Sequence, residues 1–547
     1  MAFLGRWRRK TAGAPAPDVL AGYAKPGWLS RHRKLVFTIT FVVLFFYSAL
    51  FLLIGRFLIV PFTLPLAVLA LLIIWALPER DKIPDGLLRI FFVAFMVAML
   101  VWPNYLALDV APLPWITAAR LIGVPMVLLL LVCLSQSAQF RGSIKHGMTA
   151  NPAITKLMLA YVALIILSVG FSTSRSESTN HLIIALVNWV ALFFVSLHYF
   201  SREGNIERFV WMLWGVTLFW CLMCFWEAQI SRVPWAGNIP SFLAVEDETV
   251  QRILAGSSRA ATKMYRVQGK YTTPLGMAEY MALVTPFLLH FMMAGRTMII
   301  RAAAALTLPL IFMTIVATDS RLGAIGFLLS FMFYMLFWGV RRWLHDRNSI
   351  FGPAITLAYP VIFAMFIVAT FTVRRLRNMV WGSGAQAASD ESRRIQIEMG
   401  TDDLLSRPWG HGIGRAADTL GFQNGAGIVT IDNYYLSILL EIGVIGFFVY
   451  FGMFIIAAIR GGIRGFRDHD SANLWIIPAV ISLANFIVIK SVLSQQEGHP
   501  LVFAILGLVV AILARPIGAQ ATVAETLSSL PVGQYGQRSG GRMIPAA

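Results

Sequence analysis

Apolar runs of about 20 residues recur from Leu35 almost to Arg515, and each is long enough to cross a bilayer as a helix. Inside hydrocarbon every backbone N–H and C=O must find a partner within the protein, so only helices and closed barrels can span. Barrel strands alternate apolar and polar residues, and these runs do not. Charged residues make up 13% of the chain, about half the share in a soluble globular protein, and mean hydropathy is +0.71. The expected fold is therefore all-α, a polytopic helical membrane protein.

The runs fall at 35–54, 58–78, 87–103, 115–134, 153–171, 182–200, 208–228, 276–294, 300–317, 322–340, 350–371, 433–459, 473–492 and 501–515. That predicts about 14 transmembrane helices. Residues 1–34 are polar and basic ("GRWRRK", "RHRK"), with no small-residue cleavage site after the first run, and read as a cytoplasmic tail. Starting inside, the cytoplasmic connections become "PERDKIPDG", "QFRGSIKHG", "SREGNIER", "AGRTMIIR", "RRWLHDRNS" and "RGGIRGFRDHD". Most carry excess Lys and Arg, as the positive-inside rule requires. An even span number returns the C-terminus to the cytoplasm. Residues 516–547, rich in Gly, Ser and Pro, read as a disordered tail.

Two outward segments, about 229–275 and 372–432, are far longer than the other connections, and long loops in an economical chain are usually functional. The first holds Arg232, Arg252, Arg259, Lys263, Arg266 and Lys270 against Glu246, Asp247 and Glu248. The second holds Arg374, Arg375, Arg377, Arg393, Arg394, Arg407 and Arg415, balanced by seven acids counting Asp432. Topology does not need these cations. An anionic ligand on the outer face is their simplest use; acidic headgroups and internal ion pairs are the alternatives.

Four stretches carry candidate chemistry. "MYRVQGKYTTPLGMAEYMAL" places Arg266 and Lys270 before Pro274, which suits a first helical turn, and puts Glu279 just inside the span. An acid there is functional or paired, with a nearby arginine as the structural partner. "ATDSRLGAIGF" holds Arg321 at the bilayer edge, suited to bidentate phosphate contact or to an ion pair with Asp319. In "SRPWGHGIGRAADTLGF" glycines around His411 mark turns where backbone approaches a ligand, and His411 and Arg415 are candidate phosphate or sugar contacts. "IDNYYLSILLEIGVIG" sets Asp432, Asn433, Tyr434 and Tyr435 at a helix mouth, with Glu441 about two turns deeper. Asp432 there is either an N-cap or a base; amides, phenols and carboxylates together suit sugar hydroxyls.

Phosphate-loop, dinucleotide, zinc and nucleophile-elbow patterns are absent, so no cofactor, metal or nucleic acid is expected. Cys133, Cys221 and Cys224 lie in apolar runs and read as packing thiols. Clear internal duplication is also missing, which weighs against a secondary transporter; Arg120 and Lys490 are the charges that a polar path would use at mid-span.

Together these stretches resemble the O-antigen ligase and O-antigen polymerase superfamily over roughly residues 150–515. Arg266, Gly269 and Pro274 resemble its Arg–Gly–Pro approach to a span, and "DSRLG" its Ser-Arg-Gly turn, with Leu322 intervening. "RPWGHGIG" is similar to its Pro–x–Gly–x–Gly segment. Asn433, Gly443 and Gly446 follow the order of its His-Asn signature, with Asp432 where the ligases carry histidine. The resemblance implies a bacterial inner-membrane glycosyltransferase working without metal on a polyprenyl-diphosphate-linked oligosaccharide. Membrane lipid would surround it, and a chain-length regulator and a flippase are the implied partners. It implies catalytic roles for Arg266, Arg321 and Asp432. Lys270, Glu279, Arg393, His411, Arg415, Asn433 and Tyr434 would contact substrate. Aspartate in place of histidine points to the polymerase branch, which builds exopolysaccharide, capsule or O-antigen.

Overall fold

The computed structural model describes residues 59–516 except 81–82, 110–114, 259–263, 347, 349, 378–386, 425–426 and 469, together with residues 35, 38, 39 and 42. The expected tail at 1–34, nearly all of the expected span at 35–54, the tail beyond Pro516, and Arg259 and Lys263 lie outside the described residues.

The chain divides into two compact units. The smaller, residues 1–83 and 131–137, contains α1 (Ile59–Ala76), and there the Arg80 N–H donates to the Gln136 carbonyl at 2.8 Å. The larger, 84–130 and 138–547, holds everything described next.

It begins with α2 (Asp85–Val101), a two-strand ribbon of β1 (Ala107–Leu108) and β2 (Ile116–Thr117), and the start of α3 (Ala118–Gln136). Then come α4 (Ala138–Ala150), α5 (Pro152–Gly170), α6 (Arg175–Ala185), a π-helical turn at Leu186–Ala191, α7 (Leu192–Ser201) and α8 (Asn205–Ile230). The first long connection contains α9 (Glu248–Leu254) and paired strands β3 (Ser257–Ser258) and β4 (Tyr265–Arg266). Four helices follow: α10 (Pro274–Ala294), α11 (Met298–Ala317), α12 (Arg321–His345) and α13 (Phe351–Thr372). The second long connection contains α14 (Arg374–Arg377), α15 (Ala387–Ser406) and α16 (Ala416–Leu420). The last helices are α17 (Tyr434–Arg467), α18 (Ile476–Lys490) and α19 (His499–Leu513).

Among the described residues ten helices are long and apolar enough to cross a membrane, so the chain is a multi-pass helical membrane protein. Prolines open α5, α10 and α19, where the missing N–H has no intrahelical partner to lose. One expected loop is a helix: α4 covers "QFRGSIKHG" and buries Phe140, Ile144 and Gly147 on one stripe. Its mixed composition hid that periodicity, which repeats at i, i+4 and i+7.

Helix α10 is the centre of the bundle, with almost every side chain from Pro274 to Phe291 buried. Small residues set its spacing to α12. A Cβ on Gly323 would lie 2.7 Å from the Cβ of Ala278, and one on Gly326 would lie 2.9 Å from that of Ala282. Such seams let helix backbones approach closely in lipid, where packing replaces the hydrophobic drive. Polar groups complete the seam: Asn485 of α18 donates to the Ala282 carbonyl (3.1 Å) and to Ser330 Oγ (2.7 Å). At the periphery, α13 buries only Gly352 and Thr370 and is apolar all round, as a lipid-facing helix must be.

Candidate functional site

The starts of α10, α12 and α17 meet at one end of the bundle, where the two long connections fold over them. The first connection is anchored by Glu227, a fully buried carboxylate near the end of α8. It accepts from the Gln268 N–H (2.9 Å), the Gly269 N–H (2.8 Å) and the Tyr265 hydroxyl (2.8 Å). Three donors on one carboxylate satisfy its charge in a buried place. Gly269 has φ +56 and packs against Trp220 and Met277, where a side chain would clash.

That anchor places Arg266 of the strand. The Val267 N–H donates to the Ala317 carbonyl (3.1 Å), and Arg266 Nε donates to the Thr318 carbonyl (3.0 Å). Arg266 thus lies against the C-terminus of α11, where carbonyls attract a cation. The next residues form the turn into α12: Asp319 has φ +50, Ser320 accepts the Gly323 N–H (3.3 Å), and half-buried Arg321 opens the helix. Arg266 of β4 is thus tied to the turn that leads into Arg321.

Lys270 is 1% exposed, its Nζ has no hydrogen-bond partner, and it sits 4.2 Å from the Tyr271 ring centre. Burial pushes the ammonium down to about 8, opposed by the neighbouring Glu497 carboxylate. Glu497 lies in the connection between α18 and α19 and accepts from both N–H and Oγ1 of Thr272 at 3.4 Å. Burial raises its carboxyl against the pull of Lys270.

Deeper, Glu279 pairs with Lys490, at the last residue of α18, rather than with an arginine. Lys490 also donates to the Gln495 carbonyl and lies 5.5 Å from the ring centre of Tyr434. Tyr434 is completely buried, and its ring is 4.8 Å from that of His499. Through Tyr434, Lys490 and Glu279 the mouth of α17 joins the start of α10.

At that mouth Asn433, not Asp432, caps the helix. Its side chain accepts from the N–H groups of Tyr435 (2.8 Å) and Leu436 (3.4 Å). Asp432 is released from capping. Its N–H donates to Gln396 Oε1 of α15 (2.9 Å), and burial raises its carboxyl above the usual range, opposed by the charge of Arg393 one turn away. Tyr435 donates to the Ile487 carbonyl (2.6 Å), tying α17 to α18.

The glycine-rich segment approaches protein backbone. Gly443, at φ +74 and ψ −177, breaks α17, and the segment 408–412 fills the break. His411 N–H donates to the Leu440 carbonyl (2.7 Å), Gly412 N–H to the Glu441 carbonyl (3.0 Å), and Val444 N–H to the Pro408 carbonyl (3.0 Å). Non-helical backbone at membrane depth survives only where protein satisfies it, and here each strand of the break supplies the other. Glu441 accepts from Ser437 Oγ (3.2 Å) and from the Gly414 N–H. His411 is buried with Nδ1 3.3 Å from the Leu440 carbonyl, and Arg415 pairs with Glu177 and, at 2.8 Å, with Asp418.

Glu227 carries no expectation from the sequence, although an acid inside an apolar run is the feature that marks Glu279. Lys490 and Arg120, the charges that a mid-span polar path would use, lie at helix ends.

Residues 305–451 match the family model described as O-antigen ligase. This segment, about a quarter of the chain, contains Arg321, Arg393, His411, Arg415, Asp432, Asn433 and Tyr434; Arg266, Lys270, Glu279 and Lys490 lie outside it. No curated protein matches the chain.

Proposed function

Given an O-antigen ligase domain at residues 305–451, we propose that this protein is a polysaccharide polymerase. It transfers a glycan from a polyprenyl-diphosphate carrier to a sugar hydroxyl of another lipid-linked repeat unit. It works in the bacterial inner membrane, with both termini cytoplasmic and the Arg266–Arg321 turn facing the periplasm. The observation that supports this reading is that turn, where Arg266 Nε donates to the Thr318 carbonyl and Arg321 opens α12 three residues on.

The chemistry is a single displacement with inversion at the anomeric carbon. The acceptor oxygen bonds to that carbon as its bond to the diphosphate breaks, and the electron pair leaves on the phosphate oxygen. Arg266, Arg321 and Lys270 offset the developing negative charge, each contact at about 3 kcal/mol, and stand where other transferases place a metal. Asp432 takes the acceptor's proton; its raised pKa makes it a better base than an exposed aspartate. Arg393, Asn433 and Tyr434 border that base. Glu279, His411 and Arg415 hold neighbouring backbone and charge in place, and a chain-length regulator and a flippase would act alongside.

A second reading, transfer to lipid A core or to a protein, is favoured by the description of the matching family model. A transporter reading has less support, because Arg120 and Lys490 stand at helix ends.

The test is purified full-length protein incubated with lipid-linked repeat units. A ladder of lengthening lipid-linked chains is expected, with the rate lowered about 100-fold or more by Arg321→Ala. A capped acceptor without lengthening would establish ligation. Movement of the lipid-linked sugar across vesicles without a new glycosidic bond would establish transport.

A further inference from the structure

A cavity of about 450 Å³ plays no part in the chemistry above. Asn104, Trp115, Arg120, Asn180 and Asn188 line it. Residues adjacent to its lining reach α19 and the first long connection. Trp189, next to Asn188, stacks on His499 with ring centres 4.9 Å apart, and Tyr105, next to Asn104, accepts from Trp235 of the first long connection.

Its chemistry is specific. Among the described residues no protein group hydrogen-bonds the side-chain amides of half-buried Asn104 and Asn188 or of exposed Asn180, which leaves all three open to a ligand. Asn188 reaches it from the π-helical turn Leu186–Ala191, a distortion that often marks functional positions. Arg120 donates from Nη1 to the Trp115 carbonyl (2.7 Å), which fixes the fork. Among the described residues no carboxylate pairs with it, leaving its other donors for a ligand. A phosphate site would gather several cations or backbone N–H groups. One guanidinium ringed by amides and a tryptophan fits a single negative charge on a polyhydroxylated ring.

We infer that this cavity is a saccharide subsite that takes a carboxylate-bearing, uronate-type sugar of the growing glycan, with Arg120 holding the carboxylate and the three asparagines holding hydroxyls. The inference rests on the reading of the chain as a glycan transferase and names the substrate class of that enzyme.

The test uses the full chain in detergent, with tri-galacturonic acid and maltotriose as probes in calorimetric titrations. The acidic trisaccharide binds, and maltotriose binds at least tenfold more weakly. Arg120→Gln loses at least tenfold for the acidic probe and leaves maltotriose unchanged. Asn188→Asp, at a side chain with no protein partner, does the same by charge repulsion and carries the test if Arg120→Gln does not fold. Binding of neither probe, or wild-type binding of the acidic probe by both variants, overturns the inference. So does loss of phosphatidylglycerol-vesicle binding in Arg120→Gln that the trisaccharides do not compete, since that identifies a headgroup site. A chain that shows Arg120-dependent trisaccharide binding but forms no glycosidic bond keeps the subsite and loses the transferase reading. A chain that polymerises without such binding does the reverse.

Discussion

Lys490 Nζ lies 2.9 and 3.1 Å from the two carboxylate oxygens of Glu279, and neither side chain is more than 1% exposed. The pair joins the end of α18 to the start of α10, beneath the cations proposed to grip the diphosphate. Removing one member of a buried pair strands the other charge, which costs about 3–5 kcal/mol, whereas replacing both with apolar residues is often neutral. Lys490→Met and Glu279→Leu should each melt well below wild type in detergent, and the double variant should recover most of the loss. Single variants that melt like wild type would show that the pair carries no structural load.

Asp432 and Asn433 are adjacent but have separable roles. Asn433→Ala removes the cap of α17 and should cost about 1 kcal/mol, visible as a lowered Tm. Asp432→Asn should leave the Tm near wild type and abolish transfer. Because burial raises the Asp432 carboxyl, the active carboxylate forms only above that raised value, so activity climbs with pH on the acid side. Arg393→Gln removes the opposing charge and should move that limb to higher pH. An unmoved limb would mean that another group is the base.

Gly443→Ala tests the stitched break in α17. A Cβ there would stand 2.3 Å from the Pro408 carbonyl oxygen, on a backbone at φ +74 and ψ −177 that only glycine adopts readily and that costs another residue about 1–3 kcal/mol. The segment 408–412 should detach and expose Arg415, now only 16% exposed, to trypsin. An unchanged rate of cleavage after Arg415 would show that the break does not hold the segment.

Lys270 should trade stability for function. A free lysine keeps its proton to 10.5; in the fold burial brings the group down to about 8. Between those values the unfolded chain binds more protons, so stability rises with pH across that window. The penalty, about 3 kcal/mol in full, is complete below pH 8 and gone above 10.5. Lys270→Met should therefore be more stable than wild type at pH 7, gain little at pH 10.5, and transfer glycan poorly. No gain in Tm at pH 7 would mean that the pull of Glu497 offsets the burial of the ammonium.

The helical membrane architecture was legible in the chain itself, because apolar length and the absence of alternation leave lipid only one way to satisfy a backbone. Arg266, Arg321, Glu279 and Asn433 could be picked out because charge and amides at span edges are costly unless used. Their partners could not. The carboxylate of Glu227 lies about 40 residues before the strand that it anchors, and Lys490 lies 211 residues from Glu279. Capping by Asn433 rather than Asp432 turned on where α17 begins, at Tyr434. The glycines of 410–414 announced close approach, but only packing decided that the approach was to the broken helix at Gly443. Composition and periodicity act along the chain and can be read there; which side chain meets which depends on how helices pack, and that is a property of the folded bundle.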